Sequence, residues 1–198
     1  MPLYPNISLA ILSGGKSLRM GGLNKGLLKY NSEDFVTLIH KHLSHLFGET
    51  IVITNKPNEY NHIKLVCYRD IFKGKGPLGG IHSALKNANG EAIFEVSCDM
   101  PFVCSSVANM VLSAFVVKHP DALVPTINGM IEPLFALYTK SNVAVLEHFL
   151  QNNNDLAIRN FLNEINVQYL DLPYTSEVLR CFTNVNTPED FDAITNFF

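Results

Sequence analysis

The segment from Leu12 to Lys25 is the part of the sequence whose composition points most directly to chemistry. Its 14 residues contain four glycines and three cations. Glycine lets a backbone approach a ligand closely and present its N–H groups, while Lys and Arg neutralise phosphate oxygens. The segment therefore predicts a cradle for nucleotide phosphates, with a purely structural glycine loop as the alternative. The three cations are Lys16, Arg19 and Lys25.

The carboxylate of Asp99 is a candidate metal ligand. Asp99 follows the strand-like run Ala92–Val96 after two residues, so it stands at the carboxyl end of a predicted strand. Open α/β sheets bind their ligands at that edge. Mg²⁺ takes one or two carboxylates together with phosphate oxygens, which suits a single aspartate facing a triphosphate. The alternative role of Asp99 is to cap the helix that follows.

Two further segments contain residue types that suit ligand binding. The run from Gly76 to Gly80 reads Gly-Pro-Leu-Gly-Gly and either approaches a ligand closely or makes a tight turn. Asn184 and Asn186 flank Val185, and side chains two residues apart in an extended chain point to the same side. The two amides are therefore placed to hydrogen-bond one heteroaromatic ligand, or else to lead into a helix cap at Thr187.

Strand-like and helix-like stretches alternate along the chain, which predicts an α/β fold. The predicted strands are Ile7–Leu12, Thr50–Ile53, Lys64–Cys67, Ala92–Val96, Ala122–Val124 and Val167–Leu170. The predicted helices are Phe35–Leu46, Leu78–Asn87, Val107–Lys118 after a Ser105 or Ser106 cap, Asn142–Leu150, Leu156–Glu164 and one that starts at Thr187. A turn at Asn128-Gly129, between Leu123–Ile127 and Ile131–Tyr138, predicts an antiparallel pair and hence a mixed sheet.

Length and composition bound the function classes. A chain of 198 residues suits one domain, and 47% hydrophobic residues with a net charge of −3 exclude a disordered chain and a polybasic nucleic-acid binder. No stretch reaches the roughly 20 apolar residues of a membrane span, so we expect a cytoplasmic protein. The four scattered cysteines contain no C-x-x-C pair and indicate neither a zinc ribbon nor a disulfide framework.

The stretch Ala10–Ser17 also comes close to a P-loop, with alanine where the first glycine is expected. In a P-loop the residues before Gly-Lys-Ser form the loop, whereas here Ala10, Ile11 and Leu12 belong to the apolar strand. Only Ser13 and Gly14 would remain to make the turn. The pattern therefore favours a different phosphate cradle, and a P-loop hydrolase stays as an alternative.

Ordered blocks along nearly the whole chain resemble those of the molybdenum cofactor guanylyltransferases, within the wider group of nucleotidyltransferases. The blocks are Leu12-Ser13-Gly14-Gly15, Arg19-Met20-Gly21-Gly22, Lys25-Gly26-Leu27-Leu28, Asn55, Arg69-Asp70 before Gly76–Gly80, Cys98-Asp99-Met100-Pro101, and Asn184-Val185-Asn186-Thr187-Pro188-Glu189-Asp190. Two positions depart from the family pattern: Ser13 stands where alanine is usual, and Asn24 where aspartate is usual. The second departure removes one negative charge from the cradle.

The resemblance implies a three-layer, Rossmann-like nucleotidyltransferase fold with a mostly parallel mixed sheet, formed by one domain over residues 1–198. It implies transfer of GMP from GTP to the phosphate of molybdenum-loaded molybdopterin, with release of pyrophosphate and with Mg²⁺ on Asp99. The implied catalytic residues are Arg19, Lys25 and Asp99. The implied nucleotide-binding residues are Leu12, Ser13, Gly14, Gly15, Lys25, Asn55, Asp70, Gly80 and Asp99, and the implied pterin-binding residues are Asn184 and Asn186.

In this interpretation the N-terminal part binds the nucleotide and the C-terminal part binds the pterin. The expected partners are GTP and molybdopterin, together with a molybdenum insertase and molybdoenzyme chaperones. Neither nucleic acid nor a membrane is expected as a partner, and the chain is expected to be a monomer or a weak homo-oligomer. The alternatives are a related enzyme that uses CTP on the cofactor or an NTP on a sugar phosphate, a P-loop hydrolase, and a non-catalytic cofactor carrier.

Overall fold

A mixed, mostly parallel sheet separates two layers of helices in the computed structural model, which describes residues 1–14, 23–118 and 120–196. The strands are β1 (Tyr4–Leu12), β2 (Lys29–Tyr30), β3 (Glu33–Asp34), β4 (Phe47–Ile53), β5 (Val66–Tyr68), β6 (Ala92–Ser97), β7 (Ala122–Ile127), β8 (Met130–Ile131), β9 (Phe135–Thr139) and β10 (Val167–Asp171). The helices are α1 (Phe35–Leu43), α2 (Gly76–Asn87), α3 (Ser105–Lys118), α4 (Val143–Asn152), α5 (Ile158–Leu162), α6 (Ser176–Cys181) and α7 (Pro188–Asn196). The predicted fold class is confirmed.

The order of the strands creates a binding crevice beside β1. The main sheet runs β10-β7-β9-β6-β1-β4-β5, with β8 paired to β7, while β2 and β3 form a separate hairpin. From β1 the chain moves outward through β4 to β5, then crosses back to place β6 on the other side of β1. Strand order therefore reverses between β1 and β6, and ligands of open α/β sheets bind at the carboxyl ends of strands at such a point.

Helices cover both faces of the sheet, and successive side chains of β1 alternate between the two cores. Leu9 and Ile11 belong to the core that contains α1 and α3, whereas Ala10 and Leu12 belong to the core that contains α2 and α4. All four side chains are buried. This explains why β1 reads as a continuous apolar run rather than as an alternating pattern, as expected for a parallel strand covered on both faces.

A small third core attaches the C-terminal segment to the start of α1. Phe35, Val185 and Ile194 are its buried members, and Phe191 of α7 packs against it. Val185 lies in the segment between α6 and α7, and its N–H donates to the Asp99 carbonyl at 2.9 Å. The anchoring of Val185 therefore places its neighbours beside the carboxyl end of β6.

Most predicted elements are present, with shifted bounds. The predicted strand Ile131–Tyr138 is wrong as one element: it is split into β8 and β9 around Pro133, which has no N–H for a sheet. The turn before it is as expected, with positive φ at Asn128 and Gly129. The predicted cap of α3 is also wrong because Ser105 and Ser106 lie inside the helix. The β2–β3 hairpin and α6 were not predicted.

Among residues 1–14, 23–118 and 120–196, the structure contains no helix with both the length and the apolar character that crossing a membrane requires.

Candidate functional site

A cavity of about 680 Å³ opens at the carboxyl ends of β1, β4 and β6. The amino end of α2 forms another wall of it, because Gly76, Pro77 and Gly80 line the cavity. Cavities of this size hold small-molecule ligands and cofactors. Its lining includes eight residues predicted from the sequence: Leu12, Ser13, Gly14, Lys25, Asn55, Asp70, Gly80 and Asp99. The predicted residues Gly15 and Arg19, and Lys16 of the P-loop alternative, lie outside the part of the chain that the structure describes.

Backbone hydrogen bonds fix the floor of the cavity. The Ser13 N–H donates to the Ile53 carbonyl at 2.8 Å, and the Cys98 N–H donates to the Leu12 carbonyl at 3.0 Å. Sheet pairing thus continues just beyond β1 and β6, and it brings the start of the glycine loop next to Asp99. Because β1 extends to Leu12, the loop begins only at Ser13, which agrees with the argument against a P-loop.

The Lys25 ammonium joins two segments that are far apart in sequence. Its Nζ lies 3.2 Å from Asp99 Oδ2 and 2.6 Å from Asn186 Oδ1. The Lys25 and Asp99 side chains are 16% and 18% exposed, so this ion pair is better shielded from water than a surface pair. Three predicted site residues, one from each third of the chain, therefore meet at one point.

Asn24 holds the turn that carries Lys25. Asn24 Oδ1 accepts from the Tyr60 hydroxyl at 2.9 Å and from the Gly26 N–H at 3.2 Å, and the Ser13 hydroxyl lies 3.4 Å away. Ser13 and Tyr60 also hydrogen-bond to each other. Burial raises the pKa of Tyr60, so the phenol stays protonated and acts as a hydrogen-bond donor. A Cβ on Gly26 would lie 2.6 Å from the Tyr60 oxygen, so this packing requires glycine.

The opposite end of the cavity contains Asn55 and Asp70. Asn55 Nδ2 donates to Asp70 Oδ2 at 2.7 Å, so the two side chains lie together. Burial raises the pKa of Asp70, and the hydrogen bond from Asn55 opposes that shift. The loop before α2 has positive φ at Gly74 and Gly76, a conformation that side chains disfavour. This loop therefore brings bare backbone to the cavity wall.

The two asparagines near the C-terminus differ in their surroundings. Val185 is buried between them, whereas Asn186 is partly buried, and that the two amides serve one ligand stays a prediction. Asn186 contacts Lys25, whereas Asn184 is exposed. The helix lead-in is present as well: the Asp190 carboxylate accepts from the Asn186 and Thr187 N–H groups, and these bonds lower the pKa of Asp190. The segment thus caps α7 and contacts Lys25 at the edge of the cavity, although neither asparagine is among the residues that line it.

The geometry tests the two roles considered for Asp99. The Ala108 N–H in the first turn of α3 donates to the Cys104 carbonyl at 3.1 Å, and the Asp99 carboxylate instead meets Lys25, so Asp99 does not cap the helix. Among the described residues there is no cluster of three or more His, Cys, Asp or Glu that would hold a metal alone. One carboxylate at a cavity wall fits Mg²⁺, which fills most of its coordination sphere with water and phosphate oxygens.

Sequence reasoning missed Glu59 and Tyr60, and it treated Asn24 only as a departure from a pattern. Asn24 Nδ2 donates to Glu59 Oε2 at 2.8 Å, and Glu59 pairs with Lys56 at 3.1 Å. Glu59 and Tyr60 lie in a short turn, Pro57–Tyr60, whose composition carries no signal of a site. The useful signal was the paired departure at positions 13 and 24, since both side chains contact Tyr60.

Comparisons with known proteins identify the family of the chain. The family described as MobA-like NTP transferase domain matches residues 9–169. The chain is 35% identical to a probable molybdenum cofactor guanylyltransferase of Clostridium perfringens, over 94% of this chain and 95% of that one. It is 32% identical to the molybdenum cofactor guanylyltransferase of Syntrophotalea carbinolica, over 93% and 89%. The crystal structure of molybdopterin-guanine dinucleotide biosynthesis protein A from Archaeoglobus fulgidus superposes with a TM-score of 0.81 at 26% identity, over 96% and 97%.

Proposed function

We propose that this chain, which belongs to the MobA-like NTP transferase family and is a nucleotidyltransferase, transfers GMP from GTP to molybdopterin. The acceptor is the terminal phosphate of the molybdenum-loaded pterin, and pyrophosphate is released. Relatives named as molybdenum cofactor guanylyltransferases, similar over nearly the full length of both chains, support this choice of substrates.

The observation that carries the proposal is the meeting of Lys25, Asp99 and Asn186. Lys25 and Asp99 line the cavity that suits a nucleotide, and Asn186 belongs to the C-terminal segment assigned to the pterin. A transferase must hold its donor and its acceptor side by side at the reacting phosphorus. The contact between Lys25 and Asn186 supports a reaction centre at the boundary of the two binding regions.

The chemistry needs no covalent enzyme intermediate. An oxygen of the pterin phosphate attacks the α-phosphorus of GTP in line, a new P–O bond forms, and the bond to the bridging oxygen breaks to release pyrophosphate. The Lys25 ammonium stabilises negative charge on the phosphate oxygens, and Arg19 has the same proposed role. Positioning and electrostatic stabilisation are then the main sources of rate enhancement.

Asp99 is the proposed ligand of Mg²⁺. When bound, the ion would neutralise phosphate oxygens and polarise the reacting phosphate. Asp99 would hold it at the cavity wall, while Lys25 stays beside Asn186 and faces the phosphates. Replacing Asp99 with Asn removes the charge and keeps the shape of the side chain.

Asn55, Asp70 and the backbone of the Gly76–Gly80 loop are proposed to hold the base and ribose. They lie at the end of the cavity away from Asn186. A carboxylate accepts hydrogen bonds and therefore suits sugar hydroxyls or the N–H groups of guanine. In this proposal residues 1–198 form one domain, with nucleotide contacts from its N-terminal part and pterin contacts, including Asn184, from its C-terminal part.

The experiment that tests the proposal is an anaerobic incubation with GTP, Mg²⁺ and molybdenum-loaded molybdopterin. Pyrophosphate and inorganic phosphate are measured separately, and the assay is repeated with CTP and with ATP. We expect pyrophosphate only when the pterin is present, with GTP as the preferred nucleotide. A preference for CTP would change the assigned product and keep the mechanism. Inorganic phosphate alone would indicate a hydrolase, and binding without turnover would indicate a carrier.

Asp99→Asn provides the residue-level test. We expect this variant to lose most of kcat at any Mg²⁺ concentration, with only a small fall in melting temperature in the absence of ligand, because Asn186 still accepts from Lys25. Asp192→Asn is the matched control, because Asp192 is exposed on α7 and outside the cavity. Normal turnover by Asp99→Asn would show that the metal is held elsewhere.

A further inference from the structure

The two positions that depart from the family pattern are coupled through one buried phenol. The Ser13 hydroxyl and the Asn24 carbonyl oxygen both hydrogen-bond Tyr60, which is 1% exposed. Asn24 also accepts from the Gly26 N–H, so its oxygen faces three donors. The departures at 13 and 24 thus belong to one hydrogen-bond network beneath the turn that begins at Lys25.

The other half of the Asn24 amide requires an acceptor. Asn24 Nδ2 donates to Glu59 Oε2 at 2.8 Å, and this hydrogen bond is the largest cause of the lowered pKa of Glu59. An aspartate at position 24 would place a second carboxylate oxygen against Glu59, and like charges at that distance repel. The amide of Asn24 and the carboxylate of Glu59 are therefore complementary, and the charge usual at position 24 is present at position 59 in this chain.

We propose that Glu59 is a positioning residue of the transferase reaction, acting through Asn24 to fix the turn that carries Lys25. The proposal rests on the proposed function. Glu59 determines which way the Asn24 amide faces, because a flipped amide would point its NH₂ group at the donors Tyr60 and Gly26 N–H. With the amide fixed, Asn24 caps the turn Lys25–Leu27, and Lys25 Nζ reaches Asp99 and Asn186.

The test is a cycle of three variants: Asn24→Asp, Glu59→Gln, and both together. Asn24→Asp restores the residue usual in the family, yet we expect kcat to fall at least about tenfold, because small displacements of a catalytic group have effects of this size or larger. Glu59→Gln keeps an acceptor for Asn24 but makes it neutral and weaker, so we expect kcat to fall about threefold. In the double variant the amide introduced at position 59 can donate to the new carboxylate, so kcat should return to within about threefold.

Further measurements separate positioning from a general structural effect. Melting temperature and the stoichiometry of GTP binding should stay unchanged in Asn24→Asp, and KM for GTP should change much less than kcat. Asn58→Asp is the matched control: it adds a carboxylate to an exposed position next to Glu59 and should leave kcat unchanged.

The outcomes also distinguish this inference from the proposed function. If the parent chain makes no pterin-dependent pyrophosphate, the proposed function fails. If the parent chain is active and Asn24→Asp is equally active, or if the double variant is no better than Asn24→Asp, the positioning role of Glu59 is refuted. A loss of kcat matched by an equal loss of GTP-binding sites would refute it too, because that result indicates misfolding.

Discussion

Glu95 lies at the centre of the sheet with its carboxyl group buried. It is 0% exposed on β6, and neither of its oxygens has a hydrogen-bond partner among the described residues. Its neighbours across the sheet are Ala10 on β1 and Ala136 on β9, whose small side chains provide its space. Burial, and then the nearby charge of Asp99, raise the pKa of Glu95 well above its ordinary value of 4.5. We therefore expect Glu95 to be protonated in the folded protein at neutral pH.

This state makes stability depend on pH with a definite sign. Above pH 4.5 the unfolded chain releases the Glu95 proton while the folded chain keeps it, so the unfolded state binds fewer protons. The free energy of unfolding then falls as pH rises, by about 1.4 kcal/mol per pH unit, until the folded pKa is reached. The loss due to Glu95 amounts to roughly 3 kcal/mol for every two pH units over which the folded protein alone keeps this proton.

Glu95→Gln removes the titration and keeps the volume of the side chain. Urea unfolding of both proteins at pH 5, 6, 7 and 8 gives the difference in free energy of unfolding at each pH. We expect the free energy of unfolding of the variant to rise relative to that of the parent chain as pH increases, by about 1.4 kcal/mol per pH unit. A difference that stays flat from pH 5 to 8 would refute the reasoning, because it would mean that Glu95 is ionised in the fold. Glu91→Gln, at an exposed site just before β6, is the control and should show no such slope.

Three other substitutions test the cavity wall and the residues that pack beside it. A Cβ on Gly14 meets no atom of the described residues within 4 Å, so Gly14→Ala should keep the melting temperature and raise KM for GTP about tenfold, since the methyl group would enter the cavity. A Cβ on Gly26 would overlap the Ser13 hydroxyl, so Gly26→Ala should lower the free energy of unfolding by about 1–3 kcal/mol in urea titrations. Asn186→Ala removes the 2.6 Å acceptor of Lys25 and should lower kcat/KM for molybdopterin about tenfold; an unchanged value would exclude Asn186 from the site.

The sequence was most informative where one residue type can satisfy a local requirement. The apolar run into Ser13 and Gly14 predicted β1 and the loop after it, and the position of Asp99 followed from the strand before it. Glu59 and Tyr60 could not be predicted, because their importance comes from contact with Asn24, 35 and 36 residues away. A residue that acts through a distant partner has no local pattern, so only the fold reveals it.

The Lys25–Asp99 pair must be able to open, because a phosphate and a cation would compete for its two members. Removing one member of a well-shielded ion pair normally leaves the other charge without a partner, at a considerable cost. Asn186 would lower this cost for Lys25, because its neutral oxygen accepts from Nζ at 2.6 Å independently of the Asp99 carboxylate. Asn186 is held in turn by the buried Val185, whose N–H bonds the Asp99 carbonyl. In the proposed reaction the segment around Asn186 therefore has two roles. It faces the acceptor site, and it holds Lys25 while substrate phosphate replaces Asp99 as the partner of the ammonium.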